Sequence, residues 1–244
     1  MSFKVVIPAR YASSRLPGKP LLDIAGKPMV IRVAEQAGKS GAEAVVIATD
    51  SEQIIEVSKT YQVDVVMTRV DHVSGTDRIA EVAQKLNWSD DDIVVNVQGD
   101  EPLIDPELIQ EVALTLKNSR GAVMATACHA LNDKALMLNP NVVKVVMDVN
   151  GNAIYFSRSP IPYPRDEAHK NNVKAHRHIG IYAYRVGFLK EYAELSITQL
   201  EQVESLEQLR VLHHGYKIAM TVTDNAPATG VDTQADLDYI RSVF

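Results

Sequence analysis

Cysteine occurs once in this sequence, at Cys128, and tryptophan once, at Trp88. A single thiol cannot close an intramolecular disulfide, so a reducing cytoplasm is the expected compartment. Cys128 lies in the apolar run "VMATACHA", where a buried thiol is expected rather than a nucleophile. No run of about 18 consecutive apolar residues is present, so no membrane helix is expected. The opening Met1-Ser2-Phe3-Lys4 has no signal-peptide layout. Positive charge is in deficit, with 25 Lys and Arg against 31 Asp and Glu and a formal net charge of −6. With no basic block, nucleic acid is not expected as a partner. Two phosphate-binding motifs are missing as well. Gly18-Lys19 and Gly26-Lys27 are each followed by proline, without the spaced upstream glycine of a P-loop, and no GxGxxG follows a strand.

What is present is an ordinary globular composition, 46% hydrophobic and 23% charged over 244 residues. That length suits one large α/β domain or two small ones. Short β-branched runs at 4–8, 44–49, 63–67, 93–97, 122–128 and 142–147 read as strands. Amphipathic patterns at 29–40, 51–61, 76–86, 106–117, 200–212 and 234–243 read as helices. Asp105-Pro106-Glu107 has the order of a helix start: a capping oxygen, a first-turn proline, then an acid. The early strands are almost wholly apolar, as in a parallel sheet covered on both faces, and strand–helix alternation argues for a doubly wound α/β fold. Residues 142–188 break the rhythm: "VVKVVMDVNGNAIYFSR" reads as a hairpin turning at Asn150-Gly151, and "HRHIGIYAYR" as one further strand. The expectation is a single domain, 1–244, with a β-rich insertion at about 142–188.

The positive charge that exists is unevenly placed. "IPARYASSRLPGKPL" carries Arg10, Arg15 and Lys19 with no acid among them, directly after the first strand. In open α/β sheets ligands bind beyond the carboxyl ends of the strands. Arginine forks, a lysine point charge and backbone N–H groups near Ala12–Ser14 would suit a nucleoside triphosphate. The plain alternative is a solvated loop. Asp100 ends "VVNVQGD" at a strand's carboxyl edge, and Asp232 stands in "GVDT" before the last helix. A hard cation such as Mg²⁺ wants carboxylate oxygens together with substrate phosphates. Asp232 or Thr233 would equally serve as an N-cap. Ser74 as a cap, Arg78 as a solvated cation, Tyr184 as a core aromatic and Glu207 as a helix charge are the readings these residues carry alone. His176 and His178 share a strand face, the spacing of a zinc pair, with no third ligand signalled nearby.

The first loop is followed in order by "SGTDRIAEV", "VNVQGDEPLI", "NPNVVKVV", "YFSRSPIPY", "RHIGIYAYR", "LEQLRVL" and "GVDTQADL". Together these resemble the CMP-Kdo synthetases, the 3-deoxy-manno-octulosonate cytidylyltransferases, over almost the whole chain. Sugar-1-phosphate nucleotidyltransferases carry GxGTRLxPxT in the first loop and CMP-sialate synthetases have no RLPGKPL, so the chain sides with the Kdo enzymes. The resemblance implies a GT-A-like nucleotidyltransferase fold. It implies coupling of CTP and Kdo to CMP-Kdo and pyrophosphate, activating Kdo for lipopolysaccharide biosynthesis. Pro8, Ala9, Arg10, Arg15, Lys19, Ser74, Arg78 and Gln98 would hold the nucleotide, with Gln98, both donor and acceptor, reading cytosine. Arg158, His178, Tyr184, Glu207 and Gln208 would hold the sugar acid. Arg15, Lys19, Asp100 and Asp232 would act in catalysis, and Mg²⁺ would sit on Asp100 and Asp232. A second Mg²⁺ shared with Asp232 would assist deprotonation of the sugar hydroxyl, since no histidine or cysteine is an obvious base. The anomeric 2-hydroxyl would attack the α-phosphorus in line. A homodimer is implied, with the insertion contributing contacts. Many relatives have glutamate in place of Asp77, and the segment 165–176, expected to form a flap, is shorter than in several. Glu101 is either a site neighbour or a turn residue. The alternatives are transfer to another sugar acid such as 8-amino-Kdo, or a silent nucleotide-binding subunit. Retention of both aspartates and all three loop cations speaks against silence.

Overall fold

The apolar run after Phe3 forms the first strand of a nine-stranded sheet in the computed structural model, which describes residues 2–11, 16–72, 74–169, 173–224, 226–228 and 230–244. In chain order the elements are β1 (Lys4–Ala9), β2 (Asp23–Ile24), β3 (Lys27–Pro28), α1 (Met29–Gly38), β4 (Ala44–Thr49), α2 (Glu52–Thr60), β5 (Asp64–Met67), α3 (Gly75–Lys85) and β6 (Ile93–Asn96). The second half adds α4 (Pro106–Asn118), β7 (Ala122–Leu131), α5 (Lys134–Leu138), β8 (Lys144–Met147), β9 (Ala153–Ser157) and β10 (Ala175–Arg185). It ends with α6 (Val186–Glu194), α7 (Gln199–Glu204), α8 (Gln208–His213), β11 (Lys217–Thr223) and α9 (Gln234–Val243).

The sheet runs β11-β7-β10-β6-β1-β4-β5. β6, β1, β4 and β5 pair in parallel, as do β7 and β11, while β10 lies antiparallel between β6 and β7. Alternate strand residues serve opposite faces. Val5 and Ile7 pack with α1, α2 and α4, whereas Val6 packs with α3, α6 and α8. Helices on both faces of a mostly parallel sheet make the doubly wound α/β arrangement expected from the sequence. Within 142–188, the β8–β9 hairpin lies off the main path, whereas β10 runs through the middle of the sheet. The Asp148 carboxylate closes the hairpin turn by accepting from the Asn150 and Asn152 N–H groups, both at 2.8 Å.

The helix expected over 200–212 is two helices. Ser205 adopts φ 51 between them, and the Glu204 carbonyl accepts from Arg158 Nε at 2.5 Å. That captured carbonyl and left-handed residue end α7, so the chain restarts as α8 with its first residues turned toward a cavity. Among the described elements, β2, β3, α5, α6 and β11 were absent from the sequence reading. No helix among the described residues is long and apolar enough to cross a membrane.

Candidate active site

β1 and β6 are parallel neighbours in register, Val6 opposite Asn96, so their carboxyl ends meet at one edge. The chain leaving β6 crosses the end of β1 so closely that a Cβ on Gly99 would lie 2.8 Å from the Pro8 carbonyl oxygen. Only glycine fits there, and the crossing presents Gln98 and Asp100 beside Pro8 and Ala9. A second clip acts from the far end of the chain. The Val231 N–H donates to the Asp100 carbonyl at 2.9 Å, and Val231 is anchored in an apolar cluster with Ile24, Met29, Leu237 and Ile240. Asp232 is thereby brought to Asp100.

Lys19 joins them. It follows Gly18, whose φ of 65 lets the loop turn into a short 3-10 segment, Lys19–Leu21. Its Nζ donates to Asp100 Oδ2 at 2.6 Å and to Asp232 Oδ1 at 3.1 Å. The choice between cap and ligand at Asp232 is narrowed by the helix itself. Thr233 is the N-cap of α9, its hydroxyl accepting from the Asp236 N–H, while the Asp232 carboxylate turns to Lys19. An ammonium between two carboxylates marks a place built for positive charge. Asp100, which lines a cavity, and Asp232 offer hard carboxylate oxygens of the kind that Mg²⁺ prefers.

The remaining residues expected at the nucleotide are less uniform. Arg10 donates to the His72 carbonyl at 2.8 Å. Ser74 caps α3, accepting from the Asp77 N–H in a reciprocal capping box. Arg78 is not the solvated cation its isolated reading suggested. It is fully buried, paired with Asp50 at 3.0 Å and bonded to Thr68. Burial lowers its pKa, with the Asp50 charge opposing. The pairing ties the ends of β4 and β5 to α3. Arg15 and the backbone of Ala12–Ser14 lie outside the described residues, as do 170–172 of the expected flap.

Beside Asp100 opens a cavity of about 470 Å³. Gln98, Asp100 and Glu101 line it from the β6 loop, Tyr182 and Tyr184 from β10, and Glu207 and Gln208 from the start of α8. A register shift between Ile179 and Tyr182 puts Gly180 on its wall. Tyr184 is core and wall at once, its hydroxyl 3.4 Å from Thr76 Oγ1. Glu207 is exposed yet on the cavity wall, where desolvation raises its pKa against the opposing charge of Arg210. Glu101 is a site neighbour, its carboxyl pushed up to about 7 by burial and then by the Asp100 charge.

His178 and Arg158 stand behind this wall. The His178 ring contacts Tyr182 at 5.5 Å and Phe156 at 4.9 Å between centroids, with Nε2 2.9 Å from Thr126 Oγ1. Burial drives its pKa down to about 3, so the imidazole is neutral. Arg158 donates to the carbonyls of Glu204, Pro140 and Ser205, fixing the α7–α8 turn that carries Glu207. Among the described residues no group of three His, Cys, Asp or Glu is placed to hold a metal, so the His176–His178 zinc reading gains no third ligand. Residues the sequence reading passed over include Thr76, Asn96, Tyr182 and Tyr192, all on the cavity wall.

Comparison with known proteins bears on this site. A family model described as cytidylyltransferase matches residues 4–218. The 3-deoxy-manno-octulosonate cytidylyltransferase of Neisseria gonorrhoeae is 59% identical over 99% of this chain and 98% of its own. That of Neisseria meningitidis serogroup A is 58% identical over the same shares. The solved structure of a CMP:2-keto-3-deoxy-manno-octonic acid synthetase complexed with CTP has a TM-score of 0.91 and 44% identity, covering 99% of this chain and 97% of that one. A cytidylyltransferase from Leptospira borgpetersenii, 18% identical with a TM-score of 0.63, shares the fold alone. By sequence along its whole length and by architecture, the chain belongs to the 3-deoxy-manno-octulosonate cytidylyltransferase family.

Proposed function

We propose that this enzyme transfers the cytidylyl group of CTP to Kdo, giving CMP-Kdo and pyrophosphate and so activating Kdo for lipopolysaccharide assembly. The observation that carries the reading is the meeting of Lys19, Asp100 and Asp232 at the carboxyl edge of β1 and β6, where Asp100 also lines the cavity. Bound there by Asp100 and Asp232, Mg²⁺ would neutralise phosphate charge and favour the deprotonated acceptor hydroxyl.

The chain's own groups do the rest. The Kdo anomeric hydroxyl oxygen forms the new bond to the α-phosphorus as the bond to the β-phosphate oxygen breaks, and the hydroxyl proton is released to solvent. Such transfer depends on alignment and on neutralising charge. Lys19 moves its ammonium onto the departing pyrophosphate, with Arg10 and Arg15 on the other phosphate oxygens. Gln98 and the Pro8–Ala9 backbone read cytosine, beside Ser74 and Arg78. Glu207, Gln208 and Tyr184 hold the sugar hydroxyls. His178 supports Tyr182 from behind, and Arg158 fixes the turn that presents Glu207.

Continuous measurement of pyrophosphate from CTP, Mg²⁺ and Kdo tests the reading, with UTP and 8-amino-Kdo as comparison substrates. Release that requires both CTP and Kdo is expected. No release with any acceptor would overturn it. We also infer a cytoplasmic homodimer. Val149 and Ile154 stand exposed on the β8–β9 hairpin, which is bonded to the edge strand β11 through Met220 N–H and the Gly151 carbonyl. Val222 of that strand is exposed too. Light scattering on the eluting protein should give twice the chain mass.

A further inference from the structure

Burying a polar atom without a partner costs about 1–3 kcal/mol, so such atoms in a native chain call for a reason. Among the described residues, buried side-chain atoms without a hydrogen-bond partner are found on Arg78, Asn96, His129, Tyr192 and Gln208. Three of these five residues, Asn96, Tyr192 and Gln208, line the same cavity. Gln208 was already expected at the sugar acid. Tyr192 was assigned nothing.

Tyr192 comes from α6 and is 2% exposed, whereas the Asp100 side chain on the same cavity is 33% exposed. It belongs to the deep end. Its ring is held rigidly: the Arg210 guanidinium lies 4.8 Å over the centroid, and the Phe188 ring packs on it edge-on at 6.1 Å. Arg210 is itself fixed by Glu201, at 2.8 Å and 2.5 Å. Glu207 and Tyr184 stand near enough to act on the phenol electrostatically. A buried hydroxyl on a ring fixed from two sides, on a cavity wall shared with Glu207 and Tyr184, is preorganised for an uncharged polar ligand group. Resting on the proposed reading of this cavity, we propose that the Tyr192 hydroxyl is a specificity contact that hydrogen-bonds one hydroxyl of the acceptor sugar at the closed end of the site. It touches neither the reacting phosphorus nor the base. Its contribution is to select acceptors that carry a hydroxyl there and to reject those that do not, because an analogue without it leaves Tyr192 unpaired.

Tyr192→Phe deletes the hydroxyl and keeps the ring under Arg210. Kinetics of pyrophosphate release should show kcat/KM for Kdo reduced about tenfold, the scale of one neutral hydrogen bond, with KM for CTP unaltered. Melting should occur at or above the parent temperature, since an orphaned atom has been removed. Across a series of monodeoxy Kdo analogues, one member should be used equally well by parent and variant. An unchanged kcat/KM for Kdo, an effect on CTP alone, or a lowered melting temperature would each overturn the inference while leaving the function intact. Failure of the parent to release pyrophosphate with Kdo would overturn the function and the inference together.

Discussion

Lys19→Met keeps an unbranched apolar stem and deletes the ammonium that both aspartates share. Its Nζ lies 2.6 Å from one carboxylate oxygen and 3.1 Å from the other, so those oxygens are no more than about 6 Å apart. At that separation two unit charges repel by about 0.7 kcal/mol in water and about 3 kcal/mol at an effective dielectric of 20. The Asp100 and Asp232 side chains are 33% and 48% exposed, which places the effect near the lower limit. Screening leaves about 1 kcal/mol. In a chain of this size that lowers the melting temperature by about 2–4 °C. The assay is scanning calorimetry at low ionic strength, with and without Mg²⁺, beside turnover at saturating CTP. The variant should melt lower than the parent without Mg²⁺ and recover most of the difference with it, because the ion replaces the missing charge. Turnover should fall about a hundredfold, as when one fixed transition-state donor is lost. Equal melting with an equal Mg²⁺ response would refute the shared charge site, and near-parent turnover would refute the role of Lys19.

Gln98→Ala should narrow the CTP/UTP ratio of kcat/KM, since losing a recognition hydrogen bond costs about 1–3 kcal/mol; an unaltered ratio would assign cytosine reading to the backbone. Asp232→Asn should melt like the parent, because Thr233 caps α9, yet lose most activity and regain part of it at high Mg²⁺. Unaltered Mg²⁺ dependence would leave Asp100 as the carboxylate that matters. Glu101, raised to about 7 from 4.5, keeps in the folded state a proton that the unfolded chain has released. The stability tied to that proton is full below about pH 4.5 and is lost as pH rises through about 7. Melting of the parent should therefore decline relative to Glu101→Gln between about pH 5 and pH 7.5; parallel profiles would contradict the raised carboxyl.

Local chemistry was legible in the sequence because its causes are local. The Asp105 cap forms as expected, its carboxylate accepting from the Glu107 N–H at 2.9 Å, and the Asn150-Gly151 turn closes its hairpin. The cationic loop and the carboxylates at strand ends were visible too. What could not be read was assembly across long separations. Arg78 looks like a solvated helix residue until Asp50, from another strand end, meets it in the interior. The convergence of Asp232 on Asp100 rests on the Val231 backbone bond, the apolar anchoring of Val231 and the Lys19 bridge, and these are joined only in the fold. The helix over 200–212 has an unbroken apolar rhythm, but at its break Arg158, just past β9, takes the Glu204 and Ser205 carbonyls. Tyr192 was hidden for the opposite reason: its pattern in α6 is that of any core aromatic, and only the missing partner singles it out. The β-branched run "KIAMTVT" and the amphipathic "VGFLKEYAE" carried signals for β11 and α6 that a fuller reading would have used.

The clip between Val231 and Asp100 also orders events in time. A ribosome delivers the strand, loop and first carboxylate of the nucleotide pocket long before Asp232 exists. At about 5–20 residues per second, the interval between the two aspartates is on the order of ten seconds. If Asp100 and Asp232 share the cation as proposed, the nascent chain would hold half of that site throughout this interval and could not yet turn CTP over. On the same proposal, a chain broken off before residue 232 would stay in that condition permanently, so a truncated product would be silent toward the nucleotide pool and would not drain it.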